Sequence, residues 1–322
     1  MQKSIIVSLI AATTLLCGAQ QASAQAWPSR PVTMIVPFTA GTTSDVVARA
    51  LVDHLAKAIG QPVIVENRGG AGGNLGAGVA AKAAPDGYTI LLATTGPAAT
   101  NKLMYKEMSF DPQRDFAGIV LVGKAPVIIV GKPGGPKSLA DLISFAKANP
   151  DKVNGGFPGN GTLGHITGKL LQEQGKVKIG ETQYRGSAPI ITDLLGGHID
   201  VGIDSMAAYV SNVQEGKLNG LAIASAKRFA GLPNVPTASE AGLPGFEASV
   251  WYAMLAPTGT PPDIIAKLNA ATNAFLKTPQ AKEMLEKLGI EIAGGTPDEL
   301  KAFTAAEIAK WSPIIKGANI SF

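Results

Sequence analysis

The sequence predicts an α/β protein of two lobes, each with its own sheet. The first observation is size, because 322 residues with 46% apolar and 16% charged side chains are sufficient for two domains with large cores. The second is the alternation of short β-branched runs with amphipathic helical stretches. The third is a content of 38 glycines and 22 prolines without a three-residue period, which indicates many tight turns and excludes collagen. The scarcity of charge excludes a disordered or coiled-coil chain.

Strand and helix alternate regularly in the first part of the chain. The predicted strands cover residues 31–38, 62–65 and 88–93, and the predicted helices cover residues 44–59 and 74–84. Gly60 is in the position where a helix commonly ends. This spacing favours right-handed strand–helix–strand crossovers and a mostly parallel sheet.

The alternation resumes after Pro126. Strands are predicted at residues 127–130, 152–157, 181–184, 200–204 and 221–225, with helices between them. One helix, residues 138–148, begins with Ser138 and Asp141 in a capping-box pattern. Two further helices begin near Thr260 and Thr296, where prolines suit the first helical turn.

The N-terminal 24 residues have the pattern of a secretory signal peptide. Lys3 precedes an uncharged apolar run over residues 5–16, and residues 22–24 read Ala-Ser-Ala, a small-x-small cleavage site before Gln25. The run is shorter than the roughly 20 residues that span a bilayer. Leu16, which precedes Cys17, is not the small residue that a lipoprotein signal needs, so simple cleavage is favoured over lipidation. We therefore expect an exported mature protein.

Composition excludes several kinds of chemistry. With Cys17 removed, the mature chain has no cysteine for a disulfide, a thiol nucleophile or a thiolate metal site. Aromatic residues make up 6% of the chain and no polybasic segment is present, so nucleic-acid binding is not expected. The histidines His54, His165 and His198 lack metal-ligand spacing, and no G-x-S-x-G nucleophile motif occurs. We expect no cofactor and no metal.

Four loops of small residues follow predicted strands. They cover residues 38–45, 93–97, 158–165 and 184–189. In open α/β sheets a ligand binds beyond the carboxyl ends of strands, where loops enter helix N-termini. Backbone N–H groups and the positive helix end attract an anion there. Each loop alone is more simply an ordinary tight turn, but four together predict a receptor for a carboxylate.

The same loops also have features of two other functions. Residues 159–164 match G-x-G-x-x-G with Glu181 downstream, but an exported protein is remote from dinucleotide pools and the motif alone is weak. An exported hydrolase or lyase would use His165 and Asp204 as an acid–base pair. Alternatives for His165 are donation to a ligand carboxylate or a structural hydrogen bond. Alternatives for Asp45 and Asp204 are acceptance from a ligand ammonium or hydroxyl group, or purely structural roles at a helix N-terminus and at a strand end.

The motifs as a set resemble the Bug family, the extracytoplasmic solute receptors of tripartite tricarboxylate transporters. The similarity runs over residues 25–322, in order. It rests on residues 37–38 (Pro-Phe) with Gly41 and Asp45, 66–68 (Glu-Asn-Arg), 70–74 (Gly-Ala-Gly-Gly-Asn), 85–88 (Pro-Asp-Gly-Tyr), 159–162 (Gly-Asn-Gly-Thr) with His165, 184–187 (Tyr-Arg-Gly-Ser), 193–197 (Asp-Leu-Leu-Gly-Gly), 235–237 (Val-Pro-Thr) and 240–242 (Glu-Ala-Gly).

The resemblance implies a type II periplasmic-binding-protein fold that closes on a hinge around a small organic carboxylate in a central cleft. The first lobe would contain residues 25–124 and 229–322, and the second lobe residues 125–228. The implied partners are the membrane subunits of the transporter, or a sensor kinase, with the receptor itself a monomer. The implied ligand-binding residues are Phe38, Thr39, Gly41, Thr42, Ser44, Asp45, Thr94, Thr95, Gly96, Phe157, Gly159, Asn160, Gly161, Thr162, His165, Tyr184, Gly186, Ser187, Ala188 and Asp204.

The chain departs from the family pattern at two positions. Residues 39–42 read Thr-Ala-Gly-Thr where the family usually has Pro-Pro-Gly-Gly. Phe157 occupies a position where the family usually has a small or hydroxyl residue. If Phe157 faces the cleft, the expected ligand is an aromatic or flat carboxylate.

Overall fold

The computed structural model describes residues 27–317 and 320–322. The predicted signal peptide, with Cys17 and the cleavage site before Gln25, lies outside the described residues. Across the described ranges, none of the helices has the length and apolar character needed to cross a membrane.

The described residues form an alternating series of strands and helices. The strands are β1 (Val32–Val36), β2 (Val63–Asn67), β3 (Thr89–Thr94), β4 (Phe116–Gly131), β5 (Asn154–Phe157), β6 (Gly180–Gln183), β7 (Val201–Ser205), β8 (Asn219–Ile223), β9 (Ser249–Pro257) and β10 (Glu291–Gly294). The helices are α1 (Thr43–Ile59), α2 (Asn74–Ala81), α3 (Thr95–Ala98), α4 (Leu139–Ala148), α5 (Leu163–Gly175), α6 (Ser187–Leu195), α7 (Val210–Gln214), α8 (Pro262–Leu276), α9 (Pro279–Lys287) and α10 (Pro297–Gly317).

Strand β4 belongs to two sheets at once. Its residues 116–126 pair with β9, and residues 127–131 pair with β7 and β8. The first sheet continues from β9 through β3 and β1 to β2, and the second from β7 through β5 to β6. The two predicted lobes are therefore built on sheets that are joined by one strand.

The sheets are mixed, so the prediction of mostly parallel pairing was wrong. Strand β1 lies parallel to β2 and β3, and β5 lies parallel to β6 and β7. Every pairing of β4, and the pairing of β3 with β9, is antiparallel. The strand–helix–strand units predict parallel neighbours correctly, but β4 and β9 enter the sheets from outside those units.

Helix α1 illustrates how the sequence produces its elements. Its buried face contains Val47, Leu51, Leu55 and Ile59, spaced for one side of a helix, and it packs against β2 and α8. Gly60 ends the helix in the left-handed conformation with φ of 79° and donates its N–H to the carbonyl of Ala56. That conformation favours glycine because it has no Cβ.

The exact division between the lobes stays a prediction, and packing bears on its second boundary. Leu232 and Val235 share a core with Ile190 and Tyr209 of the second lobe. Ala248 bonds through its backbone to Val127 and Ala224. These contacts favour a return to the first lobe at the start of β9 rather than at residue 229.

Helix α5 is fixed to β6 by a polar cluster around Glu181. The Glu181 carboxylate lies 3.0 Å from His165 Nε2, 2.6 Å from Lys169 Nζ and 2.8 Å from Gln172 Nε2. Burial opposes ionisation of Glu181, but the hydrogen bonds from these three side chains outweigh it and lower its pKa to about 2. The cluster therefore stabilises the fold only while Glu181 is ionised.

Replacement of Glu181 by glutamine should lower the free energy of unfolding by about 1 to 2 kcal/mol at pH 7, after allowance for partial exposure to solvent. The lowered pKa means that this contribution is complete above the ordinary glutamate value of 4.5 and fades as pH falls toward 2. Urea unfolding at pH 7 and pH 3 measures it. Glu283→Gln, at an exposed pair with Lys287, is the matched control. A Glu181→Gln deficit of equal size at both pH values would contradict the account.

Candidate functional site

A small cavity lies between the two lobes, with about 40 Å³ of space that water-sized molecules can reach. Loops at the carboxyl ends of β1, β3, β5 and β6 contribute to its wall, together with the last two residues of β7 and two residues of β9. The lining residues are Phe38, Thr42, Thr43, Ser44, Thr94, Thr95, Gly96, Pro158, Thr162, Leu163, Gly164, Gly186, Ser187, Asp204, Ser205, Val250 and Tyr252. The structure thus brings parts of all four predicted loops together.

The first lobe contributes the N-terminus of α1. Thr42 is the N-cap residue, but its side chain makes no capping hydrogen bond, and its hydroxyl donates to the carbonyl of Thr39 at 2.9 Å. The initial N–H groups of a helix have no partner within the helix, and the helix dipole makes this end positive. Thr43 and Ser44 line the cavity at the same end, and Thr43 Oγ1 is buried without a hydrogen-bond partner among the described residues.

The second lobe contributes two more helix N-termini. Thr162 caps α5, accepting from the N–H of His165 at 3.4 Å and donating to the carbonyl of Gly159 at 2.7 Å. Gly186 precedes α6 with φ of 124°, a conformation that favours glycine, and Ser187 begins the helix. Three helix ends therefore meet at one cavity.

Asp204, at the end of β7, is a buried carboxyl in this wall, with 4% of its surface exposed. One oxygen accepts from the N–H of Ser205 at 2.6 Å, and the other accepts from the Tyr209 hydroxyl at 3.3 Å. Burial raises the pKa of Asp204 to about 6, against the lowering effect of hydrogen bonds that include Ser187. The Ser205 hydroxyl lies 3.0 Å from the hydroxyl of Tyr252 across the cavity wall.

Lysine, arginine and histidine are missing from the cavity wall in the part of the chain that the structure describes. Asp204 is the one charged side chain among the lining residues described. Favourable interactions with an anion must therefore come from helix ends and hydroxyl groups. The described ranges contain no cluster of three or more histidine, cysteine or acidic residues able to hold a metal ion.

The lobes contact each other around the cavity. Thr39 Oγ1 donates to the carbonyl of Arg185 at 2.9 Å, and the Tyr105 hydroxyl donates to the carbonyl of Asn160 at 2.7 Å. The ring of Phe322 packs between the rings of Tyr105 and His165, with centroids 5.4 and 5.3 Å apart. The bonds of Thr39 to Arg185 and of Tyr105 to Asn160, and the packing of Phe322 on His165, each join a first-lobe residue to a second-lobe residue.

Half of the predicted site residues line the cavity. These are Phe38, Thr42, Ser44, Thr94, Thr95, Gly96, Thr162, Gly186, Ser187 and Asp204. The others lie behind or beside the wall: Thr39, Gly41, Asp45, Phe157, Gly159, Asn160, Gly161, His165, Tyr184 and Ala188. Several of the latter support the loops, since the Asp45 carboxylate accepts from Gly41 N and Arg49 Nε, and the Tyr184 hydroxyl donates to Asp193.

Phe157 does not face the cavity, so the expectation of a ligand stacked on its ring is wrong. The side chain is fully buried in the core. Gly155 and Gly168 leave the space that its ring fills, and its centroid lies 5.5 Å from that of His165. The strand alternates its side chains between two faces, and the ring of Phe157 lies on the core side.

His165 is also separate from the cavity wall, with 1% of its surface exposed. Its Nδ1 accepts from the N–H of Gly161 at 3.3 Å, and its Nε2 faces Glu181. It therefore holds the glycine loop in place, while Asp204 is bonded to Ser205 and Tyr209 instead. The acid–base pair of His165 and Asp204 that an enzyme would need is not formed.

The sequence prediction missed seven lining residues, Thr43, Pro158, Leu163, Gly164, Ser205, Val250 and Tyr252. Thr43, Pro158, Leu163 and Gly164 lie inside the predicted loops without having been named as site residues, and Ser205 directly follows the predicted residue Asp204. Val250 and Tyr252 come from β9, which the sequence analysis did not identify as a strand. They reach the cavity only because β9 pairs antiparallel with β3 and β4.

Comparisons with known proteins agree with this architecture. The model of the tripartite tricarboxylate transporter family receptor matches residues 47–320. Protein BugT of Bordetella pertussis is 38% identical over 296 residues, which cover 91% of each chain. An R. palustris protein solved with adipate is 38% identical with a TM-score of 0.88, over 92% of this chain and 99% of that one. MatC from Rhodopseudomonas palustris, solved with malate, is 33% identical with a TM-score of 0.86, over 90% and 100%. The chain belongs to the tripartite tricarboxylate transporter receptor family, which confirms the resemblance seen in its motifs.

Proposed function

We propose that the protein is a solute receptor that binds a small organic carboxylate in the cavity between its lobes. The observation that carries this proposal is the convergence of the α1, α5 and α6 N-termini and several hydroxyl side chains on a cavity wall without a described cationic side chain. Such a wall suits an anion, because N–H groups and helix dipoles favour negative charge. The adipate and malate of the two solved relatives support a carboxylate.

Binding by closure of the lobes is part of the proposal. The ligand would complete a set of contacts that already includes the hydrogen bonds of Thr39 to Arg185 and of Tyr105 to Asn160. A ligand that touches both lobes stabilises their closed arrangement by its difference in affinity for the two arrangements. A transporter can then distinguish loaded from unloaded receptor by shape.

The wider setting of the receptor is also proposed. The family suggests delivery of the ligand to membrane subunits of a tripartite tricarboxylate-type transporter, or to a sensor kinase. The leader pattern at residues 1–24 supports export to the periplasm and cleavage before Gln25. We propose that the mature protein acts as a monomer.

A carboxylate panel tests the proposed function. Protein that has been unfolded and refolded to remove carried-over ligand is titrated by calorimetry with malate, adipate, succinate, citrate, benzoate and glutamate. We expect saturable one-to-one binding of at least one acid without its consumption. An acid at 100 times its dissociation constant should add about 2.7 kcal/mol to stability. Turnover of the acid, or the absence of binding across this panel, would contradict the proposal.

Thr43→Val should lower the affinity for the acid that binds most tightly by about tenfold or more. A hydroxyl donating to a charged group contributes about 1.5 to 3 kcal/mol, and Thr43 Oγ1, which faces the Tyr252 hydroxyl, has no partner within hydrogen-bond distance among the described residues. Thr192→Val, an exposed substitution of the same type on α6, is the control and should bind normally. Unchanged affinity in Thr43→Val would exclude this hydroxyl as a ligand contact.

Tyr105→Phe should lower the affinity for the same acid by about three- to tenfold, because it removes one hydrogen bond of about 1 kcal/mol that joins the lobes. Tyr88→Phe is the matched control, since the Tyr88 hydroxyl bonds to Ser29 within the first lobe. Small-angle scattering with and without ligand measures closure directly. If Tyr88→Phe and Tyr105→Phe lose affinity equally, the bond between the lobes has no special part in closure.

A further inference from the structure

The cavity wall contains a buried carboxyl group, Asp204, that is not paired with a basic side chain among the described residues. Asp204 is the one charged side chain among the lining residues described, and the ion pairs found among the described residues leave it out. Its oxygens accept from Ser205 N and Tyr209 Oη, and Ser187 also bonds to it. A carboxylate has about four acceptor positions, so one remains for a ligand donor.

This acid constrains the ligand. A ligand carboxylate placed against Asp204 would bring two like charges together in surroundings of low dielectric, which is strongly unfavourable. The ligand carboxylate is better placed at the α1 N-terminus of the opposite lobe, beside Thr43 and Ser44. The part of the ligand that meets Asp204 must then donate a hydrogen bond or carry positive charge.

We propose that the site selects carboxylates that carry a hydrogen-bond donor, a hydroxyl or an ammonium group, and that Asp204 accepts from this donor. The proposal rests on the proposed function and names the substrate class within it. Residues that accept from a ligand donor discriminate strongly against analogues without it, because the buried acceptor is left unpaired.

The neighbours of Asp204 allow a pH test. Ser187 faces it from α6, Tyr209 from the segment after β7 and Tyr252 from β9, while β4 contributes Ile128 beside it and α5 contributes Gly164. Burial raises the pKa of both tyrosines, so they stay neutral between pH 5 and 8. Asp204 is therefore the group facing this point that changes charge in that range.

Matched pairs of acids test the proposal by calorimetry: malate and aspartate against succinate, glutamate against glutarate, and 3-hydroxybutyrate against butyrate. We expect at least one donor-bearing acid to bind tenfold or more tightly than its unsubstituted partner. Asp204→Asn should reduce that ratio to threefold or less, whereas Asp53→Asn, an exposed change on α1, should leave it unaltered. In the wild type the ratio should fall from pH 8 to pH 5, which tests the idea even where Asp204→Asn fails to fold.

The outcomes separate the two proposals. Unsubstituted acids that bind as tightly as their donor-bearing partners would overturn the role of Asp204 and leave a carboxylate receptor standing. Tighter binding of unsubstituted acids at pH 5 than at pH 8, without a preference for donor-bearing acids, would also overturn the role of Asp204. In that case a protonated Asp204 would be donating to the ligand carboxylate. Failure of every acid in the set to bind would overturn both proposals.

Discussion

Strand β4 is the constraint on which the arrangement of the molecule depends, because its two ends pair in two different sheets. Residues 116–126 complete the sheet of β9, β3, β1 and β2, and residues 127–131 complete the sheet of β7, β5 and β6. Backbone hydrogen bonds along one continuous strand fix the relative position of the strand ends in both sheets. The loops after β1 and β3 consequently face the loops after β5 and β6 and the end of β7, and the cavity lies where they meet.

Helix ends account for an anion site without cationic side chains. An N-terminus carries roughly half a positive charge, delivered by backbone groups that are already ordered by the fold. An arginine or lysine would carry a full charge but would bind its partner through a long side chain that must be immobilised. The glycine-rich loops allow close approach to the backbone, and their positions are held from behind, as when His165 accepts from Gly161. The loop motif thus combines residues that face the cavity with residues that brace it.

The sequence was most informative where local chemistry decides the structure. The helix of residues 44–59, its end at Gly60 and the cap at Ser138 were all predicted, because periodicity and capping act within a few residues. Residues 127–130 of β4 were predicted as a strand, but residues 116–126 and strands β9 and β10 were missed. Their pairing depends on partners more than a hundred residues away, and Gly118 and Gly123 interrupt the apolar pattern of β4 near its register shifts. Antiparallel entry from distant segments has no local signature.

The same distinction explains the site prediction. A motif identifies a loop, but only the pleat of the strand and the packing beneath it decide which side chains face a ligand. Phe157 and His165 belong to the same motif region as Thr162, yet the first two fill the space behind the loop and Thr162 lines the cavity. Departures from a family pattern at such a position alter the support of a loop before they alter its ligand. The ring of Phe157 packs against Gly155 and Gly168, so Phe157→Ser would first remove core packing.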